Sequence, residues 1–290
     1  MDAPWVSVIT ATIGRRAAML RKLDALRAQT LPPDRFEWVV VADGDDDGTL
    51  AAIAAAEVPF DLRTLRLPRR SGAATARNAA AAVARGQVLL FSDDDCVPDA
   101  DNLERHWLAH AAAAGPTAMV GSLTFVADDG RMTASRPRRV GYWNLNGANA
   151  SVPAVDFAAV GGFDEGLAAY GGEDVLLGYE LRRRGVRFRA LPDAHARHLG
   201  PDPAASGDAA KARSAGRNAV RIARRRPELR DRLGVRPALL RAKRVVLPWF
   251  VWLGARVAGD LAYVDGALDE LRGGADAGVR ERAGGRGAAR

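Results

Sequence analysis

Three consecutive aspartates, Asp93, Asp94 and Asp95, stand one residue beyond a short apolar run, Val88–Phe91, and lead into Cys96, Val97 and Pro98. Carboxylates this close repel one another, so their ionised forms need compensating positive charge. A hard divalent cation with oxygen ligands is the natural candidate; a solvated acidic turn is the plainer alternative. A second acidic turn, Asp43-Gly44-Asp45-Asp46-Asp47-Gly48, follows Phe36–Val41. It opens like a calcium loop, but the twelfth position is Ala54 instead of a bidentate Glu, and a strand precedes it, which argues against that motif. Glu173 and Asp174 begin a helical pattern, where the helix dipole favours ionised carboxylates. Either could act as a base, or both could be ordinary helix-start residues. Further on, His195 and His198 lie downstream of the acidic turns, where an imidazole is a candidate ligand.

The elements that must hold these residues follow from periodicity. Trp5–Thr10, Phe36–Val41, Leu62–Leu67 and Val88–Phe91 read as strands. Helical patterns over 16–29, 50–57 and 71–85 fall between them, the last stopped by Gly86. Strands alternating with helices at these spacings predict βαβ units, and so an α/β fold with a mostly parallel central sheet. Ligands of open α/β sheets bind at the carboxyl ends of the strands. Thr12, Asp43 and Asp93–Asp95 all sit in loops at that edge. A helix over 102–114, a strand over 117–127, a helix over 175–184 and a strand over 187–191 are expected next. Residues 128–139 read as a polar loop. Tyr142-Trp143-Asn144-Leu145-Asn146-Gly147-Ala148-Asn149 mixes aromatic faces with amides. That suits a sugar, although an aromatic packing corner has the same composition.

Taken together and in this order, these motifs resemble the inverting family 2 glycosyltransferases of GT-A fold, over about residues 5–200. Val6–Thr12 is similar to the family's opening strand and loop, and Val41-Ala42-Asp43-Gly44 to its donor-base loop. Ala76-Arg77-Asn78 looks like its helix-start signature, and Asp93-Asp94-Asp95 like its Asp-X-Asp metal motif. Gly161-Gly162-Phe163-Asp164-Glu165 with Gly172-Glu173-Asp174 looks like its acceptor-side motif. The resemblance implies a nucleotide-diphosphate sugar donor, with a UDP-sugar as the first expectation. Thr12, Asp43, Arg77 and Asp93 would contact this donor. A divalent metal, Mn2+ or Mg2+, would be held by Asp95, Asp93 and His198. Asp174 would be the general base, supported by Glu173, and Trp143, Asn149 and Gly172 would meet the acceptor hydroxyl compound, whether glycan, lipid-linked sugar or small molecule. The donor pocket departs from the family pattern. Ala11, Ile13 and Gly14 replace the usual Pro, aromatic and Asn, Ala42 replaces an Asp, and Asp45 a Ser.

Composition bounds the rest. The chain has 290 residues, 48% of them hydrophobic, and a formal net charge of +7. Its single cysteine excludes an intramolecular disulfide. No basic and apolar leader opens the chain, so a cytoplasmic location, peripheral to the inner face of a membrane, is expected. Charge is uneven. Residues 1–200 hold 23 Lys+Arg against 25 Asp+Glu, and residues 201–290 hold 19 against 10. Domain boundaries are therefore expected at about 200, with a donor half (1–98) and an acceptor half (99–200) before it, a basic helical extension (201–272) and a disordered tail (273–290). The 11-residue apolar run Val245–Ala255 is too short to span a bilayer. Next to a basic segment, it fits a helix lying on an anionic membrane surface, or else an extension packed with its basic face in water. A nucleotidyltransferase would carry a better Gly-rich basic loop than Gly14-Arg15-Arg16. A nucleic-acid binder would leave the acidic cluster unused, so nucleic acid is not an expected partner.

Overall fold

A computed structural model of the chain describes residues 4–44, 47–167, 170–200, 208–249 and 255–284. Asp45, the 201–207 boundary, residues 250–254 of the apolar run and the last six residues lie outside them. The chain divides into two compact units, residues 1–168 with 173–202, and residues 169–172 with 203–290.

The first unit opens with β1 (Val6–Thr12), α1 (Arg16–Arg27), β2 (Phe36–Ala42), α2 (Thr49–Ala54), β3 (Asp61–Arg66), α3 (Ala73–Val83) and β4 (Val88–Phe91). It continues with β5 (Cys96–Pro98), α4 (Asn102–Ala111), β6 (Thr117–Val126), β7 (Met132–Ser135), β8 (Ala150–Pro153), α5 (Ala154–Ala159), α6 (Glu173–Arg183) and β9 (Arg187–Leu199). One sheet runs in the order β3-β2-β1-β4-β8-β6-β9-β5, with β7 added beside β6. The first four strands are parallel. Beyond β4 the sheet is mixed: β8 is antiparallel to β4 and β6, while β9 is parallel to β6.

Alternation along the strands explains why both faces are covered. Trp38 and Val40 of β2 and Val88 and Leu90 of β4 pack with Met19, Leu23 and Leu26 of α1. Their neighbours Val39, Val41, Leu89 and Phe91 pack with Ala74, Ala76 and Ala80 of α3 and with Leu177 and Leu181 of α6. A side-chain period of two sends successive residues to opposite faces, so a strand buried on both reads as an unbroken apolar run. That is the reason Phe36–Val41 and Val88–Phe91 are legible in the sequence.

Three expectations need correcting. The segment 128–139 is not all loop, because Met132–Ser135 pairs antiparallel with β6 as an exposed edge strand. The strand from Arg187 does not stop at residue 191 but runs to Leu199 through a bulge, carrying both histidines. In the second unit the Gly- and Arg-rich stretch expected to be disordered begins as helix, for α9 (Ala255–Gly284) continues to Gly284. That unit also holds α7 (Ala209–Arg225) and α8 (Pro237–Val246). Ala219, Val220 and Ala223 of α7 pack on Val264, Ala267 and Leu268 of α9.

Candidate active site

The parallel register brings the acidic loops to one edge. Thr12 ends β1 opposite Ala42 of β2, and the Asp43 amide donates to the Thr12 carbonyl at 2.8 Å. Ile9 lies opposite Phe91 of β4, so the aspartates begin one residue past the same edge. The short strand β5 then pairs with β9 and sets Cys96 opposite His198.

The three aspartates of the turn meet two arginines, one hydroxyl and one imidazole, with Arg15 shared by Asp94 and Asp95. Asp93 accepts a 2.7 Å hydrogen bond from Arg77 Nη2. Asp94 accepts from the Thr12 hydroxyl at 2.8 Å and lies 3.5 Å from Arg15 Nη1. Asp95 is paired with Arg15 through Oδ2, and its Oδ1 is 3.3 Å from His198 Nε2. Burial alone would raise the Asp93 carboxyl, but Arg77, through its charge and hydrogen bond, together with His198 and Lys22 holds Asp93 below the usual carboxylate range. For Asp94, burial wins over Arg15 and Thr12, and its carboxyl is raised. Beneath the turn lies Lys22, fully buried in α1. Its ammonium donates to the Ser92 carbonyl (2.9 Å), the Ser92 hydroxyl (2.7 Å) and the Asp93 carbonyl (2.6 Å). Burial lowers its pKa.

Arg77 joins the turn to the start of α6. Its Nη1 is 3.8 Å from Glu173 and 3.7 Å from Asp174. Burial opposes its charge, yet Asp93, Asp174 and Glu173 together raise its pKa. Gly147 passes against this guanidinium so closely that a Cβ there would lie 2.0 Å from Arg77 Nη2, so any side chain at 147 would displace the guanidinium. Asp174 is pushed up to about 7, chiefly by burial and only partly offset by Arg77. Among the described residues, Asp174 Oδ1, Arg77 Nη1 and His198 Nδ1 are buried without a hydrogen-bond partner. Unpaired polar atoms in a buried site are costly unless a ligand completes them.

The donor atoms suit a hard cation. One ligand atom each from Asp95, Cys96 and His198 lies within 4.8 Å of the others. Burial and the neighbouring aspartates hold the Cys96 thiol well above its ordinary pKa, so it stays a neutral thiol and a poor ligand. Carboxylate oxygen and imidazole nitrogen remain, a set that Mn2+ or Mg2+ accepts.

The remaining expected residues have these surroundings. Asp43 is buried, and its two oxygens accept the amides of Ser71 (2.6 Å) and Gly72 (2.8 Å), which fixes the start of the Arg77 helix. Asn149 is not an acceptor contact. It is 2% exposed, its Nδ2 donates to the Ser122 and Ala194 carbonyls, and its Oδ1 meets His106. Gly172 belongs to the second unit, and its left-handed backbone (φ +95°), with a Cβ position 2.8 Å from the Ile222 side chain of α7, accounts for the glycine. Trp143 is 44% exposed and stands edge-on to the buried Tyr142 at 5.0 Å. His195 is held by Asp99 and Thr124, leaving His198 as the histidine facing the acidic turn. Arg15 and Lys22 were missed as site residues. For Lys22 a signal existed: it interrupts the stripe Met19, Leu23, Leu26 where the helical period calls for an apolar side chain.

A family model described as glycosyl transferase family 2 matches residues 7–170. The chain belongs to this family. The matched span includes Thr12, Asp43, Arg77 and the three aspartates and stops short of Glu173, Asp174 and His198. In sequence the chain is similar to a validoxylamine A glucosyltransferase of Streptomyces hygroscopicus subsp. limoneus, 28% identical over 224 aligned positions covering 63% of this chain and 49% of that one. The chain thus spans about half the length of the curated relatives it matches first. The fold is similar to that of a mannosyltransferase from Pyrobaculum calidifontis solved with GDP-Man and Mn2+. There the TM-score is 0.63 at 22% identity, covering 93% of this chain and 88% of that one. It is also similar to S. aureus TarS 1-349 solved with UDP, with a TM-score of 0.59 at 19% identity and coverage of 93% and 92%. These likenesses place the first unit in the GT-A fold.

Proposed function

We propose that the chain transfers a sugar from a nucleotide-diphosphate donor to an acceptor hydroxyl in one inverting displacement, with Asp174 as general base. The observation that carries this reading is the Asp174 carboxyl, held near neutrality by burial with Oδ1 unpartnered. A base is most effective when its pKa lies near the working pH. Asp174 takes the acceptor hydroxyl proton as the acceptor oxygen bonds to the anomeric carbon, and the bond from that carbon to the diphosphate breaks with its electron pair leaving on phosphate. The transition state is oxocarbenium-like, as in other glycosyl transfers. Arg77, bridging Asp93 to Glu173 and Asp174, keeps donor and acceptor groups in register. Asp95 and His198 would hold a divalent cation, with Asp93 close by; when bound it supplies positive charge to the departing diphosphate.

The donor is a UDP-sugar in the first instance, with GDP-mannose next, following the ligands of the two structural neighbours. Exposed Trp143 is the surface on which an acceptor sugar ring would stack. Thermal shifts with UDP, GDP and other nucleoside diphosphates, each with and without Mn2+, test the reading. A ligand that binds only the folded state raises its stability by mass action. A shift that needs the metal and is lost in Asp95→Ala supports it. A diphosphate that binds equally well without metal, or to Asp95→Ala, overturns the metal assignment.

A further inference from the structure

The second unit contains two kinds of basic helix. On α7 the cations are spent internally: Arg213 pairs with Asp269 and Asp265, Arg217 with Asp269, and Arg221 and Arg224 with Glu270, all on α9. Helix α8 is different. Only Leu240 of its ten residues is buried, and Leu247 just beyond is half-buried in the same apolar cluster with α9. Away from these anchors, Leu239, Ala242 and Val246 recur at three- and four-residue steps, which places them on one side of the helix, and Trp249 follows in the turn just past its end. All four are exposed, Leu239 at 43%, Val246 at 52% and Trp249 at 77%. Arg241 and Lys243 fall on either side of this stripe by the same geometry. Neither has an ion-pair partner among the described residues, whereas Arg244 is tied to Asp265 and Arg236 to Asp231.

Isolated helices this short are marginal in water, and their stability in proteins comes from burying an apolar face. Here one face is buried and a second apolar face is left outward. A protein partner is a poor match, because interface centres are depleted of lysine, while this stripe is edged by cations on both sides. An anionic lipid surface matches both features. Apolar side chains and tryptophan enter the acyl boundary, and flanking Lys and Arg reach back to the phosphates. No described helix is long and apolar enough to cross a membrane. We infer that the outer face of α8, formed by Leu239 and Val246 between Arg241 and Lys243 and extended by Trp249 just past its end, docks the chain onto an anionic lipid bilayer. The inference is independent of the chemistry at the acidic turn.

Co-sedimentation of the full chain with two kinds of vesicle tests it. One is pure phosphatidylcholine, and the other contains about one-third phosphatidylglycerol, where each nearby base contributes to attraction. The expected result is partitioning about tenfold or more in favour of the anionic vesicles, falling with salt. Arg241→Gln with Lys243→Gln should lower that partitioning about tenfold, and Trp249→Ala should lower it for both vesicle types. Arg131→Gln, an exposed base of the first unit, should leave it unchanged. All these side chains are exposed, so the variants should keep the wild-type circular dichroism spectrum. Equal binding to both vesicles, no binding, or a dimer in sedimentation velocity that Trp249→Ala dissolves would overturn the inference, the last by assigning the face to a second copy.

Discussion

Arg77 and Arg213 are both arginines shared by several acids, yet they sit in opposite physical regimes. Arg77 is 92% buried and lies between Asp93, Glu173 and Asp174, with one nitrogen lacking a hydrogen bond. Arg213 is 43% exposed and meets Asp265 and Asp269 across a pair of packed helices. Charges in water are screened and gain little from pairing, whereas buried charges interact strongly and cost much to leave incomplete. The acidic turn is therefore a place where electrostatics can do chemistry. In the helical unit ion pairs chiefly dress a surface whose stability comes from Ala219, Val220, Val264 and Leu268.

The sharpest way to break this comparison is at Asp174. Asp174→Asn keeps shape and removes the proposed base, so transfer should fall by about 10³-fold while binding of the nucleoside diphosphate is kept. Retention of full turnover would remove Asp174 from the chemistry. The same residue predicts a pH dependence. Its carboxyl titrates at 3.8 by default and at about 7 in the folded protein. Between these values the folded state holds a proton that the unfolded state has lost, so stability should fall as pH rises through that window. The rate should climb over the same interval to a plateau above about pH 7. Denaturation midpoints of wild type and Asp174→Asn across pH 4–8 check the first point, and the variant should lack that part of the slope.

Next in size is Lys22. Lys22→Met takes the ammonium from the Asp93 carbonyl and the Ser92 hydroxyl, while the Ser92 carbonyl keeps Thr10 and the Thr10 hydroxyl keeps Trp38, and it should cost about 2–4 kcal/mol in urea unfolding. A smaller effect is expected at Arg15. It is the half-exposed cation of the turn, 44% open and lining a cavity of about 450 Å³, while Arg77 and Lys22 are buried. If a divalent ion takes Asp95, Arg15 is the group that must yield. Arg15→Gln should then tighten Mn2+ binding to the donor-free protein several-fold, roughly what losing one partly screened charge contact is worth. Titration of free Mn2+ by its paramagnetic resonance signal measures this, and unchanged affinity would mean that Arg15 does not compete. Least of all, Arg213→Ala should change stability by no more than about 1 kcal/mol, as exposed ion pairs do.

Much of the first unit was legible because its signals are local. Phe36–Val41 and Val88–Phe91 announce strands buried on both faces, and three acidic or polar loops follow such runs at matching spacing. Strand β8 was not legible, since its four residues carry no pattern of their own and are defined by β4 and β6. Asn149 looked like a sugar contact because amides beside aromatics suit sugars. Only the structure shows its groups committed to Ser122, Ala194 and His106.

By itself the sequence determined the α/β alternation, the carboxylates at strand ends and the family to which the chain belongs, for all of these are carried by residue order and short-range periodicity. Only the tertiary structure decided which charge meets which. Arg15 reaches Asp95 across 80 positions, Lys22 reaches the Ser92 carbonyl across 70, and His198 comes to Asp95 through a strand bulge and a β5 pairing. The same holds for the tail, where composition showed thirteen bases in 211–244 but not which of them α9 would neutralise. Electrostatic partners are set by distance through space and by exclusion of water, and neither quantity is written in sequence separation.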